Sequence, residues 1–222
     1  DYNETRDLYA QSLAVTGQWP EYETLLFEGI PEEASKKRTD AIQGAADWLR
    51  NRSYHFWPGW YYEVFFPERE REAKRVEWRK QMAVWYDGQR GLFAAADRQW
   101  DHAVLGFRIW REYRPEEAAK RVPAINKLLR ELKLDDAAKA KAAREFAIVL
   151  CENQMFDEAR SMLPFLKNVV DNLWLTYEIE NRADKLPAAQ LALEELVAQP
   201  DPPVSLAAKK RLAWFHKERT RQ

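Results

Sequence analysis

The sequence predicts an all-α fold, and three observations carry that prediction. Ala, Glu, Lys, Arg and Leu, the strongest helix formers, dominate the 222 residues. Seven glycines are too few for a turn-rich all-β chain or for Gly-rich phosphate loops. Apolar residues recur at helical spacing between short breaks marked by Pro and Gly. The length suffices for a substantial core. With no Ser/Gly-rich linker in view, a single domain over 1–222 is expected, carrying an insertion at about 52–88.

The first helix is expected over 3–16, with Asn3 as its cap and Leu8, Tyr9, Ser12 and Leu13 along one face. Gly17 ends it. Pro20 suits the first turn of a second helix, where its missing N–H costs nothing, and Trp19, Tyr22, Leu25 and Leu26 turn inward. A third helix, roughly 33–50, sets Ile42, Ala45, Ala46 and Leu49 at i, i+3, i+4 and i+7. Pro67 opens a strongly charged helix with a narrow stripe of Trp78, Met82 and Trp85. Beyond Gly88 and Gly91 come LFAAAD and then a helix from Trp100 to Arg114. Pro115 starts the next, bent at Pro123, with Ile125, Leu128, Leu129 and Leu132 on one face. Asp135 and Asp136 cap an Ala-rich helix reaching about Gln154, and further helices fit 156–163, 165–182, 187–198 and 205–219.

One segment breaks this regularity. Of the thirteen residues Tyr54–Phe66, YHFWPGWYYEVFF, eight are aromatic, and of the next thirteen from Glu68 to Lys80 ten are charged. Three roles fit the aromatic run: an internal mini-core, a partner-binding anchor, or a belt at a membrane interface. In the order of the chain it is an insertion, with the charged helix as its return arm.

Four sites share a pattern at a helix–helix turn: GQWPEYETLLF, DRQWDHAVLGF, NQMFDEARSML and ADKLPAAQLAL. Aligned, Trp19, Trp100, Phe156 and Leu186 open the second helix. Tyr22, Ala103, Ala159 and Ala189 follow three later, then Leu26, Phe107, Leu163 and Leu193. That spacing makes one stripe, on which a small residue admits a neighbouring helix and large ones fill the gaps beside it. The pattern resembles the helical-hairpin repeats of the tetratricopeptide and pentatricopeptide (TPR and PPR) superfamily. NQMFDEARSML matches most closely, and Tyr22 departs from the small residue usual there. Successive turns lie 81, 56 and 30 residues apart, so the repeat is degenerate. The resemblance implies an irregular α-solenoid of antiparallel hairpins whose concave surface binds extended partners.

No chemistry-bearing constellation emerges. His55, His102 and His216 lie far apart, without ligand spacing to Cys or carboxylate, so neither a metal nor a cofactor is expected. His102 reads as a surface or packing residue, and Cys151, behind AIVL, as a small buried hydrophobe. The carboxylate clusters sit beside bases or at helix starts, where solvation and capping explain them. With 35 basic and 36 acidic residues, no global field draws the chain to nucleic acid or an anionic membrane.

A non-catalytic accessory or scaffold subunit docking on protein subunits of a larger complex is therefore expected. Its partner-binding residues are expected in the aromatic run, at Phe56, Trp57, Trp60, Tyr61, Tyr62 and Phe65, and in the basic C-terminal helix, at Lys209, Lys210 and Arg211. The alternative is a PPR-like protein binding single-stranded RNA, with aromatic stacking and basic contacts. No apolar run is long enough to span a membrane, while peripheral contact stays open. A single cysteine fits a reducing compartment. The start at Asp1, without Met, fits either a trimmed chain or a mature form after loss of a targeting segment. Together with the Arg- and Trp-rich helices it is reminiscent of supernumerary subunits of mitochondrial energy-converting complexes, such as the pentatricopeptide-like subunits of euglenozoan ATP synthases. That resemblance implies a mitochondrial location; otherwise the cytoplasm is expected.

Overall fold

A computed structural model describes residues 2–55, 67–95 and 98–219, and all the regular structure there is helical. Packing divides the chain into two compact units, residues 1–125 and 126–222. The division falls inside a helix, Val122–Glu131, which is why no linker marks it in the sequence. One domain over 1–222 was the expectation; the packing forms two units.

The first unit contains α1 (Tyr2–Val15), α2 (Trp19–Leu26), α3 (Ser35–His55), α4 (Glu68–Gly88), α5 (Arg90–Ala95), α6 (Gln99–Tyr113) and α7 (Pro115–Ala119). Its core joins Leu13 and Ala14 of α1, Tyr22 of α2, Ile42, Ala46 and Leu49 of α3, Trp78, Met82 and Tyr86 of α4, Phe93 of α5, and Leu105 and Ile109 of α6. The helical stripes expected for α3 and α4 are thus buried as their spacing requires. The charged helix of the expected insertion supplies the middle of this core, because its indole and thioether stripe faces inward and its charges stay outside. Trp78 Nε1 donates to the Ala14 carbonyl at 2.9 Å, which satisfies the indole N–H in an apolar setting.

Two expectations for this unit need correction. Helix α1 already begins at Tyr2, so Asn3 lies inside it, and Tyr9 and Ser12 are exposed while Ala10, Leu13 and Ala14 pack inward. The chain breaks at Lys120–Arg121 rather than at Pro123, which sits in the first turn of α8 (Val122–Glu131), where proline is tolerated. Arg121 holds that break through a two-point ion pair with Asp87, at 3.0 and 2.6 Å.

The second unit contains the rest of α8, α9 (Asp136–Glu152), α10 (Phe156–Arg160), a 3-10 turn (Leu163–Phe165), α11 (Val169–Arg182), α12 (Leu186–Val197) and α13 (Pro202–Arg219). Asp135 caps α9, its carboxylate accepting from the Ala138 N–H at 2.7 Å. Helix α9 packs on α10 and α11, α11 on α12, and α12 on α13. Helix α10 stops at Arg160, short of the expected 163, because Pro164 has no N–H to continue it. Met162, fully buried, takes the inward place expected of Leu163.

Four turns share one backbone design. Gly17, Gln154 and Asp184 have φ of 75°, 60° and 56°, the left-handed conformation that ends a helix. The next residues, Gln18, Met155 and Lys185, repeat φ/ψ of −83°/63°, −91°/65° and −87°/64°. Each of them donates its N–H to the carbonyl five residues back, Leu13, Leu150 and Glu180, at 2.9 to 3.0 Å. Each then accepts the first bond of the following helix, from Tyr22, Ala159 and Ala189. The Trp100 site repeats these bonds one residue earlier than the sequence alignment places them: Arg98 donates to Phe93, and His102 donates to Arg98. The inward residue there is consequently His102, with Ala103 only half-buried. At all four turns the residue five back and the residue four forward are buried.

Candidate functional site

Among the expected partner-binding residues, Phe56, Trp57, Trp60, Tyr61, Tyr62 and Phe65 lie outside the described residues. Lys209, Lys210 and Arg211 lie on α13 and are exposed.

Helix α13 buries Ala208 and Phe215 against α12 and α11, with Val204 and Leu212 partly covered beside them. That anchoring turns the opposite face outward. Leu206 and Trp214 are 55% and 46% exposed, and with Lys210 they form an i, i+4, i+8 row. Arg211 sits at the edge of the row. Its Nε donates to the Tyr177 hydroxyl at 2.6 Å, and its guanidinium lies 4.4 Å from the Trp214 ring centroid and 5.4 Å from that of Tyr177. Tyr177 is a buried residue of α11, so the guanidinium is fixed from below by the core and from the side by the indole. Sequence reasoning singled out Arg211 but missed Leu206, Trp214 and Tyr177. The i, i+3 spacing of Arg211 and Trp214 was the available signal; the Tyr177 contact, thirty-four residues away in sequence, had none.

A second region is a cleft of about 420 Å³ in the first unit, between α1, α2 and α3. Arg6, Tyr22, Asp40, Gly44 and Trp48 line it. Its charged groups already have partners: Arg6 donates to the Leu25 carbonyl at 3.0 Å and faces Glu28, and Asp40 accepts from Arg98. Burial pushes the Tyr22 hydroxyl up to about 12, so it stays protonated across the physiological range.

The remaining titratable groups of note hold the fold. His102 is buried, stacked on Tyr86 with ring centroids 4.6 Å apart and beside the tilted ring of Phe93 at 4.8 Å. Its Nε2 meets the Tyr86 carbonyl at 2.9 Å; a carbonyl can only accept, so Nε2 carries the proton. Burial holds the imidazole below its ordinary pKa, with the Tyr86 hydrogen bond opposing. A surface or a packing role was expected for His102, and its burial leaves packing. Glu180, also buried, accepts from Nε and Nη2 along one edge of the Arg160 guanidinium at 2.6 and 2.8 Å, and that hydrogen bonding holds its carboxyl below the usual range. Cys151 is buried as expected, and burial pushes its thiol up, away from nucleophile chemistry. His216 is exposed.

Among the described residues, no three His, Cys, Asp or Glu side chains converge as a metal site would require, and no helix is long and apolar enough to cross a membrane. No protein-family model, curated protein or solved structure matches the chain.

Proposed function

We propose that this chain is an irregular α-solenoid of TPR/PPR-like hairpins serving as a non-catalytic docking subunit of a larger protein assembly. The observation that carries the reading is the common turn, with the same hydrogen bonds at Gln18, Arg98, Met155 and Lys185. A chain that reuses one hairpin joint builds surface rather than an enclosed pocket, and helical arrays use such surface to bind proteins. A mitochondrial energy-converting complex such as ATP synthase is the proposed setting, on the sequence resemblance alone.

Sedimentation of a native-source extract tests the proposal. The chain is expected to migrate with a much larger assembly and to be released by high salt or chaotrope; migration as a free 26.2 kDa monomer would end this reading. Single-stranded RNA binding is the second reading, favoured by one observation: Trp214 stands half-exposed beside Arg211 and near Lys210. It predicts binding that weakens steeply with salt.

A further inference from the structure

We propose that the outer face of α13 docks an acidic, aromatic-bearing segment of a partner protein, an inference that rests on the docking reading above. Charge is the first argument. Residues 202–219 carry Lys209, Lys210, Arg211, Lys217 and Arg219 against one carboxylate, Glu218, although the chain as a whole has a net charge of −1. Such local segregation attracts carboxylates and repels cationic surfaces. The second argument is the apolar content of the same face. Leu206 and Trp214 bracket Lys210 at one-turn intervals and stand about half-exposed, so a bare polyanion would leave them uncovered. The third is preorganisation. Arg211 is held by the Tyr177 hydroxyl and by the Trp214 face, so little side-chain entropy remains to be lost when a partner ring or carboxylate meets it. Arg and Trp together are what interface hot spots favour.

A protein segment fits this face better than a single-stranded nucleic acid. Trp214 with Arg211 is one stacking surface, whereas a bound strand stacks successive bases on several aromatic rings. One exposed helix face also provides no groove to track a phosphate backbone. Leu206 offers an aliphatic contact that an apolar side chain uses and a base does not.

Fluorescence-labelled probes titrated with the full chain at fixed ionic strength test the proposal. The probes are a random glutamate–tyrosine copolymer, poly-L-glutamate of equal length, and poly-uridylate. The copolymer is expected to bind at least about fivefold more tightly than poly-L-glutamate, the gain coming from ring contacts with Trp214 and Arg211. Trp214→Ala is expected to erase that difference. The double variant Lys209→Glu, Lys210→Glu should abolish binding of both polypeptides while its circular dichroism and melting stay unchanged, since both side chains are exposed. Equal affinity of wild type for the two polypeptides, or copolymer binding undiminished by the charge reversal, overturns the proposal. So does tighter binding of poly-uridylate, which transfers the face to the RNA reading. Loss of the copolymer result while the native chain still sediments with a large assembly removes only this partner chemistry. Sedimentation as a free monomer removes the docking reading itself.

Discussion

Burial sets the behaviour of His102. The folded chain binds a proton on this imidazole more weakly than the unfolded chain does, because charging it between the Tyr86 and Phe93 rings costs solvation that the Tyr86 carbonyl offsets only in part. Asp87 favours the charged form, and Arg90 and Arg121 oppose it. The sign follows directly. Above the unfolded pKa of about 6.5 both states are neutral at this position and stability is full. As pH falls below it the unfolded state takes up the proton first, and stability drops by up to about 1.4 kcal/mol per pH unit. The melting temperature should therefore fall between pH 7 and pH 5, and His102→Gln should remove much of that slope. A melting curve series in which wild type and variant keep parallel pH dependence would contradict the assignment.

At the scale of elements, the repeated turn makes its own prediction. Gln154 and Asp184 hold a left-handed conformation that costs an L-residue about 1 kcal/mol, whereas Gly17 meets the same demand without a Cβ. Both side chains are exposed, so substitution there acts through the backbone alone. Gln154→Gly and Asp184→Gly should each stabilise the chain by about 0.5–1 kcal/mol, and Gly17→Ala should destabilise it by about 1 kcal/mol, all read by urea unfolding. Much of this element layer was legible. The inward stripes of α3 and α4, the Asp135 cap and the place of the turns before Trp19, Phe156 and Leu186 follow from spacing and from residue chemistry, whereas the left-handed backbone at Gln154 and Asp184 does not, since neither is a glycine. The register at Trp100 was not, because WDHAVLGF offers two overlapping apolar frames and only the Tyr86 stack selects the one with His102 inward. The break at Lys120–Arg121 was hidden too, since a long-range ion pair to Asp87 holds it.

For the whole molecule, two units with separate cores give a test by position. Phe93 is fully buried among Tyr86, His102 and the first unit's other apolar residues. Phe93→Ala should cost about 3–5 kcal/mol, and the loss of amide-exchange protection should concentrate in residues 1–125. Protection lost evenly along the chain would argue for a single cooperative core. Helix class, most element positions and the sites of three of the four turns were determined by the sequence, because they depend on propensity and on period. The placing of the unit boundary inside α8, the burial of Glu180 on Arg160, and the anchoring of Arg211 on Tyr177 were decided only in three dimensions. Each of these rests on contacts between residues distant in sequence, and local pattern carries no record of which distant side chain will satisfy a buried charge or fix an exposed one.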